Sequence, residues 1–152
     1  MPFTPVDADF ERRTREAYGR QGAMRLIGAT LVHVAPGTVE IALPYRAEIA
    51  QQHGFLHGGI MAASLDSACG FAAFSLMPPD GEPLTIEFKQ EMLAPGIGDR
   101  FVAIGRVRKA GRSVSFCEAE GHAYTGTTAK LVARTTATMM TVTGRASVRQ
   151  RD

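Results

Sequence analysis

Residues 53–77 read HGFLHGGIMAASLDSACGFAAFSLM, and this stretch decides the fold. A His-Gly-Gly motif at positions 57–59 opens a long apolar run that contains one charged residue, Asp66. The run is long enough to cross a membrane, but Asp66 and several serines dilute its apolar character, so we expect no membrane span. The pattern predicts a buried helix over about Gly58–Met77, ended by the turn signal at residues 78–81.

The segments on both sides of this helix carry their own patterns. Thr4-Pro5 followed by Asp7 is typical of a helix start and predicts a helix over about residues 5–19. Val39, Ile41 and Leu43 alternate with other residues, as in a half-buried strand. The predicted strands cover about residues 24–34, 38–43, 84–92, 101–108, 113–124 and 129–142, and residues 143–152 are predicted to be a frayed tail.

This order of elements predicts an α+β fold. A helix that is apolar nearly all round must be covered on most sides. Short connections make most neighbouring strands antiparallel, and the second half lacks the alternating helices that a parallel sheet requires. We therefore expect one domain over residues 1–152, with a core over about residues 24–142, in which an antiparallel sheet wraps around one long central helix. The helix over residues 5–19 would lie on the surface.

Composition is that of an ordinary globular domain. The chain has 152 residues, of which 45% are hydrophobic and 21% charged. A net charge of +2 is too small to indicate nucleic-acid binding. Cys69 and Cys117 form no paired motif and are expected to be buried, reduced thiols, and the N-terminal residues do not resemble a signal peptide. These features predict a cytoplasmic protein with no nucleic-acid partner.

Gly58 and Gly59 stand where a helix presents unpaired amide groups. The first-turn amides carry about half a positive charge together, and glycines leave room for a ligand to approach the backbone. Gly58 is thus a candidate donor for a developing oxyanion, an interaction worth about 2.7–4 kcal/mol in a transition state. The alternative is that both glycines only permit tight packing at the helix entry.

Asp66 follows Gly58 by eight residues, which is about 12 Å along a helix. Because a catalytic group must act within about 3 Å of the reacting atom, the two residues of one chain cannot serve the same carbonyl. Two antiparallel copies of the helix could bring each Asp66 near the other Gly58, which predicts at least a symmetric dimer. The alternative is a structural carboxylate that is bonded to a nearby hydroxyl, amide or arginine.

Histidines beside the helix start raise the question of a metal. His53 and His57 have a zinc-like spacing, but the glutamate of H-E-x-x-H is missing and no further ligand cluster is visible, so we expect no metal. His57 could instead cap the helix, contact a ligand or supply a proton. The sequence contains neither a serine-hydrolase elbow nor a phosphate-binding P-loop.

The motif LHGGIMAASLDSA at residues 56–68 resembles the hotdog-fold acyl-CoA thioesterases, most closely the phenylacetate-degradation type. It is also similar to the mammalian thioesterase superfamily member 2 proteins. The resemblance runs from about Met24 to Val142 and includes EFKQEMLAPGIGD, VRKAGRSVSFCEAE and TAKLVARTTATMM, which are similar to successive strands and turns of the family. It implies the hotdog fold and thioester hydrolysis, although this fold also hosts dehydratases and non-catalytic acyl-CoA readers.

The resemblance implies roles for individual residues. Gly58 would donate its N–H to the thioester carbonyl, and the partner subunit's Asp66 would be the nucleophile or the general base that activates water. His57 would help to position the substrate. Thr85 corresponds to a family serine that orients the nucleophilic water.

Two further sets of residues are implied with the substrate. The family's asparagine, six residues before the histidine, is replaced by Gln51, which is followed by Gln52, so the amide that contacts the site is left open. Gly59 follows the proposed donor Gly58 at the helix start and is predicted to contact the substrate. Lys109, Gly111 and Arg112 form a turn that could hold the phosphates of coenzyme A or could simply be a solvated hairpin.

The predicted function is therefore a homo-oligomeric acyl-CoA thioesterase, with no cofactor, and tetramers are common in the resembling family. A thioester has a good leaving group, so one polarised carbonyl and one carboxylate can suffice. The alternatives are a non-catalytic acyl-CoA-binding or regulatory protein and a hydroxyacyl-CoA dehydratase. The acyl group stays open: Phe55, Met61, Phe71 and Phe74 could line its pocket or belong to the core.

Overall fold

The computed structural model describes residues 3–144, so most of the predicted C-terminal tail lies outside the described residues. The elements follow one another in this order: α1 (Phe10–Gly19), α2 (Gly22–Ile27), β1 (Thr30–Ala35), β2 (Thr38–Pro44), a short 3-10 helix (Ala47–Ile49), α3 (Gly58–Phe74), β3 (Glu82–Met92), β4 (Arg100–Ala110), β5 (Val114–Thr125) and β6 (Thr128–Val142).

The six strands form one sheet in the order β1-β2-β4-β5-β6-β3, and every neighbouring pair is antiparallel. Short hairpins join β1 to β2, β4 to β5 and β5 to β6, which explains the antiparallel pairing. β3 follows α3 in the chain and, among residues 3–144, pairs with β6 alone, so it forms an edge of the described sheet. Pro83 in β3 suits an edge strand, because proline cannot donate to a second neighbour.

The sheet wraps around α3, which packs against β2, β3, β4, β5 and β6. The helix touches the sheet most closely at Gly105, where an added Cβ would lie 2.3 Å from the backbone of Ala68. A glycine at this position lets the helix backbone rest directly on the strand. This arrangement is the hotdog fold that the sequence predicted. Both cysteines are free and buried, as expected.

The C-terminal end of α3 is held by α1. Arg13 donates to the carbonyl oxygens of Met77 and Phe74 at 2.7 and 3.4 Å, and its Nε donates to Asp7 Oδ2 at 2.8 Å. The guanidinium also lies 4.3 Å from the centre of the Phe74 ring. Carbonyls at a helix end lack partners within the helix, so a cation placed there stabilises the end.

The N-terminal elements correct the sequence-based prediction in two places. The first helix starts at Phe10 and not near Pro5, because Asp7 Oδ1 accepts the Asp9 N–H and forms a turn before the helix. Residues 24–27, expected to be strand, belong to helix α2. Met24 and Ile27 are both buried at helical spacing, and Gly28 ends the helix with a φ of 76°.

The Arg13 contacts predict a measurable effect on stability. Arg13→Met should lower the free energy of unfolding by about 2–3 kcal/mol, because it leaves helix-end carbonyls and the Asp7 carboxylate without their charged donor. Arg12→Met is the matched control, since the Arg12 side chain is 64% exposed in its ion pairs and should change stability by less than about 1 kcal/mol. Urea denaturation of both variants measures the difference, and equal losses would contradict the assignment.

Candidate active site

His57 and the two glycines after it form the start of α3. His57 is the N-cap, and its Nδ1 accepts the Gly59 N–H at 2.9 Å. Because Nδ1 acts as the acceptor, a neutral His57 carries its proton on Nε2. The His57 carbonyl accepts the N–H groups of Ile60 and Met61 at 3.0 and 3.1 Å. Among residues 3–144, these bonds leave the Gly58 N–H as the first-turn amide without a partner.

The two glycines differ in what surrounds them. A Cβ added at Gly59 would lie 3.1 Å from the His57 ring, so packing explains this glycine. A Cβ added at Gly58 would meet no atom within 4 Å. Packing within the protomer therefore does not require a glycine at position 58, whereas close approach by a group from outside would.

A groove of about 490 Å³ opens at Gly58. Gln51, Phe55 and Leu56 line one side, and residues 92–96 line the other. The Gln51 side-chain oxygen accepts the His53 N–H. Gln52 is exposed and does not line this groove.

Asp66 lies on α3 facing β3, where its Oδ1 accepts a hydrogen bond from Thr85 Oγ1 at 2.9 Å. Burial raises the pKa of Asp66, and the hydrogen bond from Thr85 partly offsets that rise because it stabilises the charged carboxylate. No salt bridge within the described part of the chain neutralises Asp66. The site therefore holds a carboxylate with one oriented hydroxyl and no cationic partner.

β3 runs along α3 and contacts both candidate residues. Thr85 is bonded to Asp66, and Gln90 Nε2 donates to the Gly58 carbonyl oxygen at 3.2 Å. Gly58 and Asp66 thus face the same edge strand from positions eight residues apart, which the helix rise separates by about 12 Å. Gln90 was not among the site residues predicted from the sequence, where it is one polar residue within a strand.

The predicted phosphate-binding turn lies at the β4–β5 hairpin. Gly111 donates to the Val114 carbonyl at 2.9 Å, and an added Cβ would lie 2.4 Å from that oxygen, so the turn itself requires this glycine. Lys109 and Arg112 are exposed. The hairpin is at the Thr85 end of the sheet, where its β5 side is two strands from β3 and its β4 side is three strands away, about 10 and 14 Å across.

The four candidate pocket residues separate into two groups. Met61, Phe71 and Phe74 are buried members of the core, while Phe55 lines the groove at Gly58. Only Phe55 is therefore placed to meet a ligand in that groove. Among residues 3–144, no three histidine, cysteine or acidic side chains come together as metal ligands would.

The fold and the site define a hotdog protein in which the first residue of the central helix and a carboxylate further along it both contact the edge strand β3. The sequence model of the thioesterase superfamily matches residues 53–130, which is half of the chain. The crystal structure of a thioesterase family protein from Silicibacter pomeroyi has 41% sequence identity and a TM-score of 0.87, and the match covers 89% of this chain and 99% of that one. The chain belongs to the thioesterase superfamily and is a thioester hydrolase.

Two further relatives extend the comparison. The medium/long-chain acyl-CoA thioesterase YigI of Escherichia coli is 26% identical over 129 residues, covering 66% of this chain and 83% of YigI. The PaaI protein of Escherichia coli, from the phenylacetic acid degradation operon, shares the fold with a TM-score of 0.79 at 19% identity, over 90% of this chain and 95% of PaaI. Within residues 3–144, no helix combines the length and the apolar character that crossing a membrane requires.

The raised pKa of Asp66 predicts how Asp66→Asn affects stability. A carboxyl group whose pKa is raised by folding stabilises the fold below its ordinary pKa, and this contribution is lost as pH rises through the raised value. Asp66→Asn keeps an acceptor for Thr85 and removes the buried charge, so it should raise the thermal midpoint at neutral pH. The gain should shrink in acid, where Asp66 is protonated.

Differential scanning calorimetry across this pH range provides the measurement. Asp80→Asn, in the exposed turn after α3, removes the same charge without burial and is the matched control. A loss of stability in Asp66→Asn at neutral pH would contradict the physical account, since it would mean that the charged form is favoured by folding.

Proposed function

We propose that the protein is an acyl-CoA thioesterase whose active site forms between two copies of the chain. Gly58 of one copy polarises the thioester carbonyl, and the partner's Asp66 supplies the nucleophile or general base. The observation that carries this proposal is the placement of both residues toward the same sheet edge but about 12 Å apart along α3. One protomer supplies both groups but cannot apply them to one carbonyl.

The edge strand supports pairing between two copies. Within the described part of the chain, one side of β3 has no hydrogen-bonded strand, and Leu84, Ile86, Phe88 and Met92 are 46%, 52%, 45% and 47% exposed on β3. Unprotected edges of this kind are templates for another strand, and exposed apolar side chains favour their coverage. A second copy of β3 is the partner that matches both features, because a two-fold axis makes the edge complementary to itself.

An antiparallel β3 pair assembles complete sites when its two-fold axis lies near Glu87 and Phe88. In that register Thr85 of one copy lies opposite Gln90 of the other. The bulge between Thr85 and Glu87 can move this pairing by one residue. Asp66 accompanies Thr85 and Gly58 accompanies Gln90. The partner's Asp66 would then lie beside Gly58, and the symmetric arrangement would give two equivalent sites.

The chemistry follows from these groups. The thioester carbonyl oxygen accepts the Gly58 N–H, which stabilises the negative charge that develops on attack. With Asp66 as general base, the carboxylate takes a proton from water while the water oxygen bonds to the carbonyl carbon. The C–S bond then breaks, and the thiolate accepts a proton and leaves as free coenzyme A. With Asp66 as nucleophile, a carboxylate oxygen bonds to the carbonyl carbon and the C–S bond breaks, which gives a mixed anhydride and the thiolate of coenzyme A; water then hydrolyses the anhydride.

Thr85 and His57 support this chemistry from fixed positions. Thr85 holds Asp66 Oδ1, so the other carboxylate oxygen remains free to act. His57 presents Nε2–H outward beside Gly58, where it can donate to the substrate. Gln51 lines the groove at Gly58 and takes the place of the family's asparagine, while Gln52 lies outside the groove.

The groove favours an apolar acyl group. Phe55, Met92 and Leu93 line it next to Gly58, and apolar lining stabilises an aliphatic or aromatic chain in proportion to the surface it buries. The similarity to a medium/long-chain acyl-CoA thioesterase points the same way. We therefore place fatty acyl-CoA first in a substrate panel, followed by arylacetyl-CoA.

The remaining expectations stay predictions. Lys109 and Arg112 are exposed cations at the Thr85 end of the sheet, where they could meet the phosphates of coenzyme A. Assembly beyond the dimer into a tetramer and a cytoplasmic location also stay predictions. Light scattering after size exclusion would decide the number of copies in solution.

The central test is thiol release from the acyl-CoA panel by wild type, Asp66→Asn and Thr85→Val. Asp66→Asn should lower kcat by about 10²- to 10⁴-fold while retaining substrate binding. Thr85→Val removes the hydrogen bond that lowers the pKa of Asp66, so the acid limb of kcat/KM should move to higher pH.

Each alternative function gives a different outcome in the same assay. A binding or regulatory protein would bind acyl-CoA without releasing thiol, and Asp66→Asn would leave its function intact. A dehydratase would interconvert hydroxyacyl-CoA and enoyl-CoA without free thiol. A wild-type rate of thiol release by Asp66→Asn would show that the carboxylate is not required for catalysis.

Gly58→Ala tests the approach of the carbonyl to the helix start. The added methyl meets no atom within 4 Å of its own protomer, so the chain should fold normally, but the methyl would displace a bound thioester. A displacement of about 1 Å can cost on the order of 10²-fold in rate. Gly19→Ala, another helical glycine with open space around it, is the matched control and should keep full activity. Equal activity of the two variants would mean that no group approaches Gly58 closely.

A further inference from the structure

Gln90 is a polar residue on the inner face of β3. Its Nε2 donates to the Gly58 carbonyl oxygen at 3.2 Å and lies 3.0 Å from Met92 Sδ. The contact with Gly58 fixes the orientation of the Gln90 amide, because the flipped amide would place Oε1 against the Gly58 carbonyl oxygen, which is also an acceptor. Oε1 is buried, and no group within residues 3–144 donates to it. Burying this oxygen without a donor costs free energy, which an apolar side chain at position 90 would avoid. Packing alone therefore does not explain a glutamine at this position.

The bond from Gln90 completes a clamp around one peptide unit. The Gly58 carbonyl and the Gly59 N–H belong to the same planar peptide group. Gln90 donates to the oxygen of this group from β3, and His57 Nδ1 accepts from its nitrogen at 2.9 Å. Two side chains from different parts of the fold therefore hold the same peptide plane from opposite ends.

Gly58 and Gly59 create the need for such a clamp. Glycine has more backbone freedom than any other residue, and the first turn of a helix is where hydrogen bonding is incomplete. A donor to an oxyanion works only when it is already aimed, within about 0.5 Å of the productive position. The Gly58 N–H lies on the His57–Gly58 peptide, whose carbonyl oxygen accepts the Ile60 and Met61 N–H groups. The freedom that remains is rotation about the Gly58 backbone angles, between this peptide and the Gly58–Gly59 peptide.

We propose that Gln90 is a positioning residue for the oxyanion donor. The inference rests on the proposed function, in which the Gly58 N–H polarises the thioester carbonyl. Gln90 acts through the Gly58–Gly59 peptide: it restrains the plane that follows the Gly58 N–H and so limits the rotation that would turn this N–H away from the carbonyl. His57 supplies the second half of the same restraint.

Gln90→Met tests the proposal, because methionine has similar length and volume but cannot donate to Gly58. We expect kcat for acyl-CoA hydrolysis to fall on the order of 10- to 100-fold. KM should stay within about threefold, since the lost restraint matters most in the transition state. The thermal midpoint should be equal to or higher than that of wild type, because a half-satisfied buried amide is removed.

Thr135→Val is the matched control. Thr135 is the register partner of Gln90 on β6, its hydroxyl is buried without a partner among the described residues, and it has no hydrogen bond to Gly58. This variant removes a buried polar group from the residue that is paired with Gln90 on the neighbouring strand. It should keep the wild-type kcat, so a loss of rate in both variants would indicate general disturbance of the sheet and overturn the proposal.

Amide hydrogen exchange, measured by NMR, gives a readout that does not depend on activity. In Gln90→Met the Gly59 amide should exchange about 10-fold faster than in wild type, while the amide of Leu65 in the middle of α3 should be unchanged. An unchanged Gly59 exchange rate, or an unchanged kcat, would overturn the positioning role. If wild type releases no thiol from any substrate, the proposed function and the catalytic role of Gln90 both fail, and the exchange rates alone show whether Gln90 restrains the peptide.

Discussion

The structure depends on the need to cover a helix that is apolar on nearly every face. A single sheet covers only part of that surface, and this sheet does so by curling until five of its strands contact α3. The N-terminal helix covers another part, and Arg13 fastens it to the end of α3. What remains is the side toward β3, where the sheet stops at an edge strand with exposed apolar side chains.

The candidate site occupies this remaining side. Gly58 and Asp66 both lie on α3, so their separation is set by the helix rise and cannot be shortened by any movement of loops. β3 runs beside them and contributes one supporting side chain at each position, Gln90 to the first and Thr85 to the second. In the proposed mechanism the chemistry would be divided between two half-sites, one at Gly58 and one at Asp66, and each half-site has a supporting contact from β3 of its own chain.

The sequence predicted the elements whose patterns are long and unambiguous. The central helix, its start at Gly58 and the six strands follow from hydrophobic periodicity and turn residues. Helix α2 was missed because residues 24–34 form a short apolar run, in which a buried helix and a strand look alike. The start of α1 was misplaced because Asp7 binds a neighbouring amide and Arg13, a tertiary contact that local capping rules do not include.

Candidate site residues could be proposed from the sequence where chemistry and spacing coincide, but not where the pairing register of the strands decides which residues meet. His57, Gly58 and Asp66 stand out in the sequence because glycines and a carboxylate are unusual in a buried helix. The Thr85 hydroxyl could be placed by resemblance alone, and the role of Gln90 could not be seen at all. Which residue of β3 reaches Gly58 depends on the pairing with β6 and on the bulge between Thr85 and Glu87, and neither is encoded locally.

Three features of the α3–β3 face are unfavourable for an isolated protomer. Asp66 carries a charge that burial disfavours, Gln90 has a buried acceptor with no donor among the described residues, and the edge of β3 exposes apolar surface to water. Folding stability alone would select against each of them, and functional sites are where such local costs are retained. Their concentration along one face, beside the open space at Gly58, argues that this face is shaped by what binds to it. A second copy of β3 would cover the apolar edge, and a thioester between the copies would engage the Gly58 amide and the carboxylate, so the proposed assembly explains two of these features. The third, the buried Gln90 oxygen, accompanies the bond by which the Gln90 amide nitrogen holds the Gly58 carbonyl.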